Sequence, residues 1–303
     1  MAEPAIGTPP PSAAGSSTVP PVTTEEELLR NPPLPHERVF YWGSGSPQAW
    51  RVLIALEEKA LPYRSVCVSF ASGVLKSPFF RALNPRMRIP VLVEPLEETT
   101  ASSSDSPAAI APQRVVLYES AAILEYLERR YPQPACMPAD LASFAIAQTR
   151  LHEANEILSV VGDLVVYLRR FPVERRLPAV LNAKWAALDA ELTIWEDYLE
   201  GRPYLASRET PYLCDITLFT NVAYAVRCGL QLDGLYPRLA AFYVRLCSRA
   251  SVEKTWPPHW RTTFGTKVLT KCFHCGGQAG ACACRPPESG ISDGDSSSSS
   301  AAT

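Results

Sequence analysis

The sequence predicts a small α/β domain followed by an all-helical domain. Three observations carry this. Between residues 38 and 132, apolar residues switch between period two and helical spacing, whereas from Ala139 to Ser251 only helical spacing remains. The third is punctuation: Ser-Pro pairs stand where helices open, and Pro, Asn-Pro or Gly where they close.

Taken in order, Arg38-Val-Phe-Tyr-Trp42 is a short apolar strand and Gly43-Ser-Gly-Ser46 a turn. Ser46 is an N-cap and Pro47 a first helical residue, after which Ala49, Val52, Leu53, Leu56 and Ala60 recur at helical spacing until Pro62. Val66, Val68 and Phe70 share one face of a strand over Arg64 to Phe70. Ser77-Pro78 opens a short helix that Asn84-Pro85 stops. Ile89 to Val93 and Arg114 to Tyr118 are strands, and Ser120, Ile123, Leu124, Leu127 and Tyr131 define a helix ending at Pro132. The order is β-α-β-α-β-β-α. Beyond it lie helical patterns over Ala139 to Phe171, with Gly162 as a place for a bend, then Leu177 to Leu199, Leu213 to Cys228, and Tyr236-Pro237 to about Arg249. The pattern from Leu213 is apolar nearly all round, so that helix belongs inside.

At 303 residues the chain has room for about two domains with real cores. Hydrophobic residues make up 47% and charged residues 20%, which excludes a wholly disordered chain. Lys and Arg number 29 against 31 Asp and Glu, a net charge of -2 with no long basic run, so nucleic acid is not an expected partner. No apolar run approaches the roughly 18 residues of a membrane span, and MAEPAIGTPP has neither the basic start nor the apolar stretch of a signal peptide. The expected location is cytoplasmic, with no membrane partner.

Composition divides the chain further. Residues 1–37 hold nine prolines and read as a disordered Pro-rich arm, in which only Thr23 to Leu29 has helical character. Glu98 to Gln113 reads as a long surface loop, and residues 261–303 as a disordered Cys/Ser-rich tail. Of nine cysteines, Cys67, Cys136, Cys214, Cys228 and Cys247 sit in apolar surroundings as buried thiols. Cys272, Cys275, Cys282 and Cys284, with His274, offer soft ligands for zinc. The second pair is too tightly spaced for the usual ribbon and the connection has no core, so no metal site is assigned.

Three segments carry a resemblance: Tyr41-Trp-Gly-Ser-Gly-Ser-Pro with Trp50-Arg-Val-Leu-Ile-Ala-Leu-Glu-Glu-Lys59; Leu83-Asn-Pro with Ile89-Pro-Val-Leu92; and Tyr118-Glu-Ser120 with Tyr126-Leu127. Val222-Ala-Tyr224, Tyr236-Pro237 with Leu239-Ala-Ala-Phe-Tyr243, and Trp256-Pro-Pro-His-Trp260 add to it. Over about residues 38–260 the chain resembles cytosolic glutathione transferases, the rho class in particular. The resemblance implies a thioredoxin-like glutathione-binding domain over 38–132, an all-α C-terminal domain over 139–260, and a homodimer. The sequence departs from the family pattern at Met87, where glycine is usual, and at Tyr212, where Ser or Thr usually stands three residues before Asp215.

A free thiol with a pKa near 8.5 is only a few per cent thiolate at neutral pH, and the thiolate is the nucleophile. Lowering that pKa by about two units takes about 2.7 kcal/mol of selective stabilisation of the anion. A hydroxyl aimed at the sulfur from a helix N-terminus has the right character, and Ser46 offers it. On residues alone Ser46 reads first as a plain N-cap; the resemblance aligns it with the catalytic residue of serine-type members. Ser44 and Tyr41 are the fallback donors. With Ser46 and Gln48 where a cysteine would serve disulfide exchange, the expected reaction is conjugation. By resemblance, Ile89 beside a cis Pro90 pairs with the cysteinyl backbone of glutathione, Glu119 and Ser120 hold its γ-glutamyl end, and Lys76 and Arg88 face its glycine carboxylate. Small apolar electrophiles are expected against Trp42, Ser44, His152 and Asn155. The alternative is a non-catalytic protein of the same fold that carries ligands or subunits. Met87 favours that alternative.

Overall fold

The apolar run Val39–Trp42 forms strand β1, buried along its whole length. This computed structural model describes residues 21–96, 114–263 and 265–270. The expected loop from Glu98 to Gln113 and the four tail cysteines lie outside the described residues. Strand β1 pairs in parallel with β2 (Arg64–Cys67) and antiparallel with β3 (Val91–Pro95), which pairs antiparallel with β4 (Arg114–Tyr118), giving the order β2-β1-β3-β4. A parallel pair needs a crossover, and α2 (Pro47–Glu58) supplies it. Helices α3 (Pro78–Leu83) and α4 (Ser120–Arg130) follow where the proline and serine signals place them. This is the thioredoxin-like arrangement.

Helix α2 buries every residue from Ala49 to Leu56, which requires neighbours on all sides. It has them because the helical domain packs directly on it. That domain consists of α5 (Leu141–Arg170), α6 (Pro178–Tyr198), α7 (Leu213–Arg227), α8 (Pro237–Cys247), α9 (Ala250–Thr255) and α10 (Pro258–Thr262). Trp50 of α2 meets Phe219, Trp256 and Trp260 at ring-centroid distances of 5.3, 5.2 and 5.5 Å, and its indole N–H donates to Thr255 Oγ1 at 3.0 Å. Helix α7 is buried from Leu213 to Ala223, as its all-round apolar pattern predicts. Helix α5 runs unbroken through Gly162.

Two buried carboxylates organise the frame. Glu94, fully buried on β3, accepts from Arg38 Nε and Nη2 at 2.5 and 2.8 Å and from the Tyr131 hydroxyl at 2.5 Å, tying the start of β1 to the end of α4. Asp215 accepts from the backbone N–H groups of Leu205 and Tyr212, each at 2.8 Å. Asp215 therefore still caps the head of α7 although Tyr212 stands where Ser or Thr is usual, and burial pushes the Asp215 carboxyl up to about 6.

Three expectations from sequence change. Part of the expected disordered arm is ordered: α1 (Glu25–Arg30) is capped by Thr24 and buries Leu28, while Val22 bonds with Cys67 and Ser69 beside β2. The Glu25 carboxylate also accepts from Phe79 N at 2.6 Å, at the start of α3. At the other end, α10 runs past Trp260. The N–H groups of Thr266 and Leu269 then bond the carbonyls of Arg227 and Cys228, satisfying the end of α7. Lastly, β2 ends at Cys67, so Phe70 leaves the strand face and stands 56% exposed.

Candidate functional site

The turn after β1 is shaped by two close approaches. A Cβ on Gly43 would lie 2.5 Å from Phe70 Cζ, so glycine leaves room for that ring over the turn, and a larger residue would push the exposed ring aside. Gly45 has φ +84° and lies against His259, whose Nδ1 is 2.6 Å from Ser44 Oγ. The turn delivers Ser46 to the head of α2, where its Oγ accepts from Ala49 N at 3.3 Å and donates to Gln48 Oε1 at a long 3.4 Å.

A second loop faces it. Asn84, buried after α3, donates from its amide to the Arg88 carbonyl at 2.8 Å and accepts from Arg86 N at 3.0 Å. This tie holds the segment that leads into the cis Ile89-Pro90 bond. Met87 has φ +52°, the left-handed backbone for which glycine is the usual residue. A Met87→Gly variant is expected to raise the unfolding free energy by about 1 kcal/mol, read by urea denaturation. The third wall is the start of α4, where Glu119 has φ +66° and Ser120 is 4% exposed.

Between these walls lies a cleft of about 410 Å³. It brings together Ser46, Arg88, Ile89, Pro90, Glu119 and Ser120, joined by Gln48, Phe70 and Met87. Lys76 is not in the wall; its neighbour Leu75 is, and Lys76 itself is exposed. The four residues expected against an electrophile do not meet in this cleft. Trp42 is buried, its indole N–H donating to Ser65 Oγ at 2.7 Å, because period two turns it inward beside Phe40. Ser44 is occupied by His259. His152 stands on the surface 3.4 Å from Glu125, and Asn155 Oδ1 accepts from Arg51 Nη1 at 3.0 Å. Tyr41, the other fallback donor, points to the opposite sheet face among Phe79 and Phe80, where burial raises its hydroxyl pKa.

Sequence reasoning passed over Arg51. It is 3% exposed on α2 and donates from Nε and Nη2 to Ser120 Oγ at 3.0 and 2.5 Å. Burial lowers its pKa to about 10. The signal was present: a solitary charge inside the apolar run from Ala49 to Leu56.

Residues 45–130 match the family model described as the glutathione S-transferase N-terminal domain. Glutathione S-transferase A of Pleuronectes platessa is 32% identical over 224 residues, covering 72% of this chain and 91% of its own. The chain belongs to the glutathione S-transferase family. A solved glutathione S-transferase of the Antarctic clam Laternula elliptica is 31% identical with a TM-score of 0.66, covering 77% of this chain and 98% of its own. Family membership does not fix the reaction. Maleylacetoacetate isomerase of Pseudomonas aeruginosa is also similar, 28% identical over 209 residues, covering 64% of this chain and 84% of its own. Among the described residues of this glutathione S-transferase family member there is no group of three or more His, Cys, Asp or Glu placed to hold a metal ion, and no helix long and apolar enough to cross a membrane.

Proposed function

We propose that the chain conjugates reduced glutathione to small apolar electrophiles, with Ser46 stabilising the glutathione thiolate. The observation that carries this is the sharing of one cleft by Ser46 at the head of α2, the Ile89-Pro90 backbone, and Glu119 with Ser120 at the head of α4. An extended tripeptide needs these three things: a donor for its sulfur, a backbone to pair with, and a grip on its γ-glutamyl end. In this reading the cysteinyl backbone pairs at Ile89, Ser120 takes the γ-glutamyl carboxylate and Glu119 the amine. Arg88 and, from the exposed side, Lys76 face the glycine carboxylate.

Among the described residues the Ser46 hydroxyl proton is held only by the long bond to Gln48, so a thiolate arriving at the helix head takes it over readily. The anion then attacks the electrophilic carbon, a sulfur–carbon bond forms, and the leaving group departs with its electron pair. The thiol proton has already passed to solvent. The exposed ring of Phe70 is the apolar surface offered beside Ser46, in place of the buried Trp42. The rho class, a homodimer and a cytoplasmic location remain part of the proposal on the strength of the sequence resemblance.

The test is conjugation of a chlorinated dinitrobenzene by purified protein, with ultraviolet titration of the bound thiol. Turnover and a thiol pKa at least about one unit below that of free glutathione are expected. Binding to immobilised glutathione without turnover of several electrophiles would sink the enzyme reading. The similar isomerase favours one rival reaction, which a parallel assay with maleylacetoacetate separates. Met87 no longer speaks for a non-catalytic carrier, since it adopts the left-handed backbone.

A further inference from the structure

Ser120 and Arg51 form a buried pair whose hydrogen bonds run in one direction. Arg51 donates twice to Ser120 Oγ, through Nε and Nη2. A hydroxyl oxygen has two lone pairs, and both are engaged. Only its proton is left to offer, and among the described residues it meets no acceptor. Ser120 also lines the cleft. The guanidinium is held from its other side by Asn155 Oδ1 at 3.0 Å, while Asn155 Nδ2 donates to the His152 carbonyl at 3.0 Å, so α5 fixes the arginine in place. Among the described residues no carboxylate lies within ion-pairing distance of Arg51, although its charge is buried at 3% exposure. The Glu119 carboxylate acts on it only from beyond that distance, so the buried charge is incompletely compensated and an anion delivered to the site offsets the cost of burying it.

We infer that Arg51 is a positioning residue that commits Ser120 to donating, so that the cleft accepts a carboxylate at this point and rejects a ligand that lacks one. This deepens the glutathione reading and rests on it: the group selected is the α-carboxylate of the γ-glutamyl end. Arg51 does not touch the ligand. It acts by orienting the hydroxyl and by leaving one positive charge behind it. Glu119, exposed at the same helix head, supplies the opposite charge for the neighbouring amine.

Dissociation constants of glutathione and of γ-aminobutyryl-cysteinylglycine, the same peptide without the α-carboxylate, test this in the wild-type protein and in Arg51→Gln. The wild type is expected to prefer glutathione by about tenfold or more, a charged hydrogen bond's worth. In Arg51→Gln the preference is expected to fall below about threefold, because glutamine returns a lone pair of Ser120 and removes the charge. A merely structural role would weaken both ligands by one factor and leave their ratio intact, which overturns the proposal. Arg51→Lys keeps charge and bulk but offers one nitrogen in place of two; it serves if the glutamine variant does not fold, and it is expected to lose at least about threefold of the ratio. A full wild-type ratio in the lysine variant also overturns the proposal. If the wild type binds neither peptide, it is the glutathione reading that fails.

Discussion

Replacing Ser46 by alanine is expected to lower kcat/KM for conjugation at least about tenfold, or about 1.4 kcal/mol of transition-state stabilisation, and to raise the pKa of the bound thiol. The size follows from the share of one charge-assisted hydrogen bond in the stabilisation that two pKa units require. The same serine caps α2 through Ala49 N, so the variant also loses about 0.5–2 kcal/mol of stability. Thermal unfolding measured alongside separates the two losses. Ser46→Thr keeps both the cap and the donor, and its bound thiol is expected to titrate near the wild-type value. Turnover within about twofold of wild type in Ser46→Ala, with an unshifted thiol pKa, would remove Ser46 from the mechanism.

The largest loss of stability is expected at Glu94. Its carboxylate neutralises Arg38, which is 8% exposed and whose Nη1 also donates to the Pro62 carbonyl at 2.8 Å. Glu94→Ala leaves that guanidinium buried without its counter-charge and takes away the acceptor of the Tyr131 hydroxyl proton, at a cost of about 3–5 kcal/mol. Urea unfolding of the single variant against an Arg38→Met, Glu94→Leu double variant checks the cause. The double variant removes both charges and is expected to recover most of the loss. If it is no more stable than Glu94→Ala, packing and not the stranded charge accounts for the effect.

Much of the fold was legible because its signals are local. Ser46-Pro47 and Ser77-Pro78 each specify a cap and a first turn within a few residues, and α2 and α3 begin there. The cleft was legible in part for the same reason, since Ser46, Ile89-Pro90 and Glu119-Ser120 each sit at the end of an element, where sequence punctuation is strongest. What escaped depends on distant contacts. The Ser44 hydroxyl meets His259 from the far end of the chain, and Val22 finds Cys67 across the sheet. Neither encounter leaves a mark in a short window of sequence. Trp42 was open to a better reading. Strand alternation places it with Phe40 and opposite Tyr41, so the two aromatics of Tyr41-Trp42 could never have shared a site. Arg51 escaped because helical periodicity weighs apolar positions and is silent about the single charge among them.

The docking of Val22 and α1 beside β2 has a bearing on solubility. Strand β2 ends the sheet, and an outermost strand with bare N–H and C=O groups is a template on which another chain can pair. Here Val22 takes up part of that hydrogen-bonding row and Leu28 covers the apolar surface beneath it. The stretch from Val22 to Arg30 thus shields the molecule against intermolecular strand pairing, and a version trimmed to the thioredoxin-like domain alone would lay that template open.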